Sequence, residues 1–233
     1  MKSARILGLG ALAITILACG GGSGTTAELP DPNFRVINLA PAVALDFLVN
    51  DSVVVSNAAS GGLTTTFKPV AAEEKDFSIN ENGSTIVIDS QARTLNKDTD
   101  HLALAFGLKD FGTENAKRLR FDFFGVNRVA PNGNKARVYA FNSFVRATGE
   151  DSYAVIFKNP GTNPTISFNA VDFGQITSNE IDAGPTTLTA QRQFTETEVV
   201  TTTKDFEAGK IYLMVFGGQE PTATITFFEI QPK

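Results

Sequence analysis

Few side chains in this sequence could do chemistry, and its single histidine is the first to consider. His101 follows Asp98 and Asp100, which places an imidazole beside two carboxylates. The two carboxylates could orient the imidazole as a general base, and their oxygens could contribute to a calcium site. Zinc would need more nitrogen or sulfur ligands than one histidine and one cysteine supply. A polar turn before a buried strand is the favoured interpretation, so no metal is predicted, and Asp98 and Asp100 are the candidates if one binds.

Acidic residues also occur close together elsewhere, as the carboxylates of a glycoside hydrolase would. These stretches have the polar composition of turns or solvated surfaces, which is the ordinary explanation for such charges. The sequence has no G-x-S-x-G nucleophile motif and no phosphate-binding glycine loop. We therefore predict a protein that is not an enzyme and that uses no cofactor. The carboxylates considered are Glu73, Glu74, Glu150, Asp151, Glu196 and Glu198.

The only cysteine, Cys19, closes an amino-terminal export signal. Lys2 and Arg5 form a basic region, residues 6–17 are mostly apolar, and a glycine-rich stretch follows the cysteine. A membrane-spanning helix would need about 20 apolar residues, so this run is too short. The residues that a signal peptidase would recognise, Ile16, Leu17 and Ala18, resemble with Cys19 the lipobox of bacterial lipoproteins.

That resemblance implies cleavage before Cys19, lipidation of its thiol and anchoring of the protein to a membrane of the cell envelope. Gly20 in place of aspartate after the cysteine favours the outer membrane, with the domains facing the periplasm or the cell surface. Without Lys2 and Arg5 the chain keeps 18 basic against 25 acidic residues, a net charge of −7. An acidic chain without a basic patch does not indicate nucleic-acid binding. Residues 19–33 are predicted to be a lipidated, flexible tether.

Beyond the tether, apolar residues alternate with polar ones, and Val, Ile, Thr and Phe dominate the alternating stretches. No amphipathic helix is indicated. With 42% hydrophobic and 19% charged residues, the composition is that of a globular protein. We predict an all-β protein of two tandem immunoglobulin-like antiparallel β-sandwich domains, residues 34–127 and 135–233, after a signal peptide of residues 1–18.

An internal repeat of roughly one sandwich domain underlies this division. Arg35 and Val36 match Arg137 and Val138. The other matched landmarks are Phe67 with Phe168, Gly83 with Gly184, residues 104–107 with residues 214–217, and residues 121–124 with residues 225–228. The second copy is predicted to be the divergent one.

The first copy also resembles a known family. Residues 34–41 read FRVINLAP and residues 44–50 read ALDFLVN, and they are similar to the opening of the DUF4397 domain. The resemblance covers residues 34–126 and extends more weakly over residues 135–230. It implies extracytoplasmic, often lipid-anchored, immunoglobulin-like sandwiches, and it implies no catalytic residues.

A threonine-rich segment in the second copy, residues 195–203, is the remaining candidate for a binding site. It could be a free edge that captures a partner strand, with Thr197, Val199 and Thr201 as the contact residues. The favoured interpretation is an ordinary edge strand whose glutamates discourage aggregation.

These observations favour a lipid-anchored, non-catalytic binding and scaffolding module of the cell envelope, with an envelope protein or a glycan as its partner. A periplasmic hydrolase with a carboxylate or calcium-assisted site is one alternative. A polysaccharide-binding accessory protein is another, although the chain has no tryptophan and only three tyrosines for an aromatic sugar platform.

Overall fold

A computed structural model describes residues 28–63, 66–109, 117–146, 152–160, 165–195 and 197–233. The regular secondary structure of these residues is β-strand, so the all-β prediction is confirmed. Among them no helix is long and apolar enough for a membrane crossing. The strands of the first half are β1 (Asn33–Asn38), β2 (Leu45–Val49), β3 (Ser52–Ala58), β4 (Gly62–Leu63), β5 (Lys68–Pro69), β6 (Lys75–Glu81), β7 (Val87–Arg93), β8 (Asp100–Phe106) and β9 (Arg120–Val126). Those of the second half are β10 (Lys135–Asn142), β11 (Val155–Lys158), β12 (Ser167–Val171), β13 (Ile176–Asp182), β14 (Gly184–Arg192), β15 (Glu198–Phe206), β16 (Ile211–Gln219) and β17 (Thr222–Ile230).

The strands form an outer and an inner sheet in each half. The first outer sheet has the order β3-β2-β6-β7, and the first inner sheet has the order β4-β1-β8-β9, with β5 also paired to β1. The second inner sheet is β13-β10-β16-β17 and the second outer sheet is β12-β11-β14-β15. The two orders are the same if β4 and β5 together take the place of β13. Within each inner sheet one pair is parallel, β1 with β8 and β10 with β16, a detail that period-two alternation cannot reveal.

Each sandwich encloses its own apolar core between its outer and inner sheets. In the first core the rings of Phe77 and Phe123 lie 4.6 Å apart, and Phe34 contacts both edge to face. In the second core Phe157 packs against Phe168 and Phe216 in the same manner. Burial of one such ring contributes about 1.5–3 kcal/mol, so these side chains hold each pair of sheets together.

The two inner sheets also pack against each other, which creates a third apolar cluster that we name the central core. Phe141 lies at its centre, 5.2 Å from Phe106 and 5.3 Å from Phe124 between ring centroids. The molecule is therefore four sheets deep over the described residues. The buried residues of the central core are Ile37, Leu102, Leu104, Phe106, Val126, Tyr139, Phe141, Ile211, Leu213, Val215, Phe228 and Ile230.

Strands β8 and β16 explain how the sequence builds three cores. Along β8, Leu102, Leu104 and Phe106 face the central core, while Ala103 and Ala105 face the first core. Strand β16 divides its apolar side chains between the central and second cores in the same way. A strand buried on both faces needs a continuous apolar run, and both strands have one.

A buried asparagine at the end of the first strand recurs in both sandwiches. The Asn38 amide donates to the carbonyl oxygens of Val43 and Ala58, at 2.7 and 2.8 Å. The Asn142 amide donates to those of Tyr153 and Val171, at 3.1 and 3.0 Å. In each case the side-chain oxygen accepts from the backbone N–H two residues later. The same amide therefore ties the end of β1 or β10 to the segment just before the next strand and to the strand after that one.

The structure corrects several of the matched landmarks. Gly107 corresponds to Gly218 and not to Gly217, because both have a φ of 97° and a Cβ on either would lie 2.3 Å from a backbone oxygen. The sequence match was one residue out of register, which exchanges the two faces of a strand. Gly83 lies between β6 and β7, whereas Gly184 begins β14, so these two do not correspond. Phe67 lies between β4 and β5, whereas Phe168 lies in β12.

Both sandwiches point the same way along the molecule. Contacts between Phe106, at the end of β8, and Phe141, near the end of β10, align those strand ends. Arg137, near the start of β10, donates to the carbonyl oxygen of Asn127, just after β9, at 3.0 Å, which aligns the opposite ends. We name the end where β1 and β10 begin the proximal end and the end where they finish the distal end. The proximal end also carries the connection of residues 127–134 and the last residues of the chain.

Candidate functional sites

The predicted lipidation residues lie outside the described part of the chain. Cys19 and the neighbouring Ile16, Leu17 and Ala18 belong to residues 1–27. Glu150, Asp151 and Glu196 also lie outside it. The predictions attached to these residues stay predictions.

Asp100 is 2% exposed at the proximal end, and its carboxylate is surrounded by donors. Asn33 donates to Oδ1 at 3.0 Å, Arg128 donates to Oδ2 at 3.3 Å, and Lys233 Nζ lies 3.1 Å from Oδ2. Two cations and an amide thus occupy the oxygens that a calcium ion would need. Asp98 is exposed on a turn with a φ of 55°. No group of three or more His, Cys, Asp or Glu residues able to hold a metal occurs among the described residues.

His101 lies in the first core. On β8 its side chain is buried, and its ring meets that of Phe123 edge to face with the centroids 6.5 Å apart. Burial lowers the pKa of His101, and the nearby Arg93 guanidinium lowers it further. A neutral imidazole in this position packs as an aromatic ring, because its surroundings penalise the charged form.

His101 should make stability depend on pH in a defined window. Because the pKa is lowered only in the folded protein, the unfolded chain takes up the proton first as the pH falls below about 6.5. We therefore expect the free energy of unfolding to decrease between about pH 7 and pH 5, by at most about 1.4 kcal/mol per pH unit. Urea unfolding of wild type and His101→Leu at several pH values tests this. A wild-type curve as flat as that of the variant would contradict it.

The proximal end is held by a set of contacts that joins the two sandwiches, and we name it the proximal latch. Arg128 belongs to the connection of residues 127–134. Its Cζ atom lies 3.9 Å from the centre of the Phe67 ring, and its Nε donates to the Gln231 carbonyl oxygen at 2.8 Å. Arg137 donates to the carbonyl oxygens of Asn127 and Val129, at 3.0 and 2.6 Å. Together with Asp100, these residues fix the connection between the halves.

The threonine-rich segment forms an edge strand of the second outer sheet. Strand β15 pairs with β14, and Thr201 lies opposite Thr189 with their hydroxyl oxygens 2.9 Å apart. Val199 is partly buried against the second core, and Thr197 lies just before the strand. β15 carries Glu198, Lys204 and Asp205, charges of the kind that discourage strand pairing. The structure does not bring Thr197, Val199 and Thr201 together as one site.

The distal end exposes large apolar side chains on two corresponding hairpin tips. Phe194, between β14 and β15, is 92% exposed and has a φ of 68°. Ile86, between β6 and β7, is 75% exposed. A bulky residue with positive φ is strained, and such strain is typical of functional positions. The backbone around Phe194 is nevertheless fixed, because Gln193 N–H donates to the Ala154 carbonyl oxygen and Arg192 N–H donates to that of Thr197, both at 2.9 Å.

Arginines and a tyrosine lie beside the Phe194 tip. The Tyr153 ring has the Arg192 Cζ atom 4.8 Å and the Arg146 Cζ atom 5.4 Å from its centre. Burial raises the pKa of Tyr153. The Arg146 Nε atom lies 3.6 Å from a carboxylate oxygen of Glu220, a residue in the turn between β16 and β17. Aromatic and arginine side chains clustered in this way are typical of protein-recognition surfaces.

Sequence reasoning missed this distal surface. The apolar residues of the two tips carry no motif, and their exposure depends on the turn in which each lies. One signal was present: Phe194 interrupts the period-two pattern between two strand-like runs, where turn residues are expected.

Comparison with solved structures gives distant likenesses. One is a candidate cell adhesion protein from Bacteroides ovatus, with 12% identity, a TM-score of 0.26 and coverage of 88% of this chain and 98% of that chain. Another, from Bacteroides uniformis, has 10% identity, a TM-score of 0.27 and coverage of 86% and 98%. A family 26 carbohydrate-binding module from Eubacterium rectale, solved with maltoheptaose, has 7% identity, a TM-score of 0.26 and the same coverage. Neither a protein-family model nor a curated protein sequence matches the chain.

Proposed function

We propose that this protein is a non-catalytic binding and scaffolding module of the cell envelope, anchored through lipidated Cys19 and recognising its partner with the distal end. The observation that carries the proposal is the exposed, strained Phe194 at a fixed hairpin tip. Its position at the end opposite Asn33 supports it as well, because a tether that enters at Asn33 leaves the distal end free. Anchoring would raise the effective concentration of the tips toward other molecules on the same membrane.

Membership of the DUF4397 family and residence in the outer membrane belong to the same proposal. Support for the family comes from the sequence of residues 34–41 and 44–50. Support for the outer membrane comes from Gly20 after Cys19.

Photo-crosslinking from defined positions tests the proposal. A photoreactive amino acid is placed at Phe194 or Ile86 in the full-length protein in cells, and at Val129 as a matched control. Val129 is apolar and 63% exposed, but it lies at the proximal end. We expect a discrete adduct from Phe194 or Ile86 that is weak from Val129 and is lost when Cys19→Ser removes the anchor.

Two results would contradict this proposal. An adduct formed equally from all three positions would show that the distal end has no special role. An adduct that survives Cys19→Ser unchanged would show that anchoring does not contribute to recognition.

A further inference from the structure

The edge strands of the four sheets differ in how they are protected against pairing with another chain. Exposed edges offer unpaired N–H and C=O groups, and charged residues are a common protection. Among the described edge strands, β3, β12 and the two-residue strand β4 contain no charged residue, and very short edge strands such as β4 offer few groups for pairing. Strand β12 is covered, because Asn179 from β13 donates to its Ser167 carbonyl oxygen at 3.4 Å. Both strands contain a residue with positive φ, Asn57 in β3 and Ala170 in β12, so backbone bending does not distinguish them.

Strand β3 has an open groove along its free edge. Two cavities of about 540 and 380 Å³ lie there, and both are lined by Val54 and Lys68. The smaller cavity is otherwise apolar, with side chains from both sheets of the first sandwich. Val53 is 54% exposed in this strand. The remaining residues of the smaller cavity are Phe34, Val49, Pro69 and Val70.

Lys68 crosses this groove and separates its two cavities. Its ammonium group donates to the Val54 carbonyl oxygen at 2.5 Å. Among the described residues Lys68 has no ion pair, and it is exposed. An added strand could supply an N–H to the same carbonyl, and a carboxylate would be a stronger partner for the displaced ammonium.

We propose that the edge of β3 is a strand-addition site for an extended peptide that is rich in β-branched residues and carries a carboxylate opposite Lys68. Lys68 occupies the Val54 carbonyl oxygen until the peptide displaces it. Main-chain hydrogen bonds to β3 would supply affinity, and the valines with Lys68 would supply specificity. A second copy of this chain fits less well. Pairing β3 with itself would bring two Lys68 ammonium groups together, and β3 has no carboxylate to neutralise them. The larger cavity reaches Gly62, which pairs with Asn38 at the distal end, but the site contains neither Phe194 nor Ile86 and does not depend on the proposed function.

Fluorescence polarisation with detergent-solubilised full-length protein tests the site. The probe is a labelled peptide, Thr-Val-Asp-Val-Thr, and the control peptide has lysine in place of aspartate. We expect the aspartate peptide to bind wild type at least about tenfold more tightly than the lysine peptide. Lys68→Glu should reverse this preference. The matched control Lys158→Glu makes the same change of charge in the second sandwich and should leave it unaltered.

A backbone variant separates strand addition from simple charge attraction. Val54→Pro removes an N–H from a free edge, where proline is tolerated, and should abolish binding while circular dichroism shows an unchanged fold. Binding that survives Val54→Pro, or that ignores Lys68→Glu, would overturn the proposal. If neither peptide bound, the proposal would be overturned too. Self-association without peptide that Val54→Pro abolishes would replace it with a second copy as the occupant.

Discussion

Phe141→Ala is expected to lower the free energy of unfolding by about 3–5 kcal/mol. Phe141 is fully buried in the central core, where its ring contacts Phe106 from β8 and Phe124 from β9. Removing the ring leaves a cavity between the two inner sheets. Because the hydrogen bonds within each sheet hold its strands in place, the cavity cannot easily collapse. Urea unfolding followed by far-UV circular dichroism measures the change.

The control for this variant is Phe194→Ala, which removes the same side chain from an exposed position. Its free energy of unfolding should stay within about 0.5 kcal/mol of wild type. A loss below about 1 kcal/mol for Phe141→Ala would show that the inner sheets are not packed together in solution. Two separate unfolding transitions in wild type would show the same.

Asp100→Asn is expected to cost about 3 kcal/mol, the second-largest effect. The substitution keeps the shape of the side chain, but it removes the negative charge that Arg128 and Lys233 share in the proximal latch. An amide at position 100 would leave the cations of Arg128 and Lys233 beside a buried neutral group. Because the latch joins the halves of the chain, proteolysis within residues 127–134 should become faster as well.

Asp98→Asn provides the matched control, since it makes the same change two residues earlier on an exposed turn. Asparagine tolerates the positive φ of that position, so little change in stability is expected. Equal effects of the two substitutions would show that general surface charge, and not the buried latch, was responsible. Stabilisation of wild type by added calcium would contradict the occupation of the Asp100 oxygens by Asn33, Arg128 and Lys233.

Much of the fold could be predicted from the sequence, because alternation in strands such as β9 and β17 reflects one more buried and one less buried face. The central core was harder to anticipate. The runs in β8 and β16 are apolar at every position, which fits a strand covered on both sides but also fits other buried elements. Adjacent phenylalanines gave a partial signal: Phe123 faces the first core and Phe124 the central core.

The candidate sites were less predictable, because each depends on residues distant in sequence. The Asp98, Asp100 and His101 group looks like one cluster, yet alternation along β8 turns His101 into the first core, while Asp100 joins Asn33, Arg128 and Lys233. The sequence likewise made residues 195–203 a candidate for a capturing edge, although it favoured an ordinary edge strand there. The edge strand with an open groove is β3, and this groove exists because Lys68 and Pro69 belong to the opposite sheet.

The parallel pairing of β1 with β8 has a mechanical consequence. The six residues from Asn33 to Asn38 are in register with those from Asp100 to Ala105. A pull on Asn33 along β1, away from the distal end, would load all of these ladder hydrogen bonds in shear at once and would not peel them open one by one. The ladder between β1 and β8 is thus arranged to resist tension applied to Asn33 along the strand.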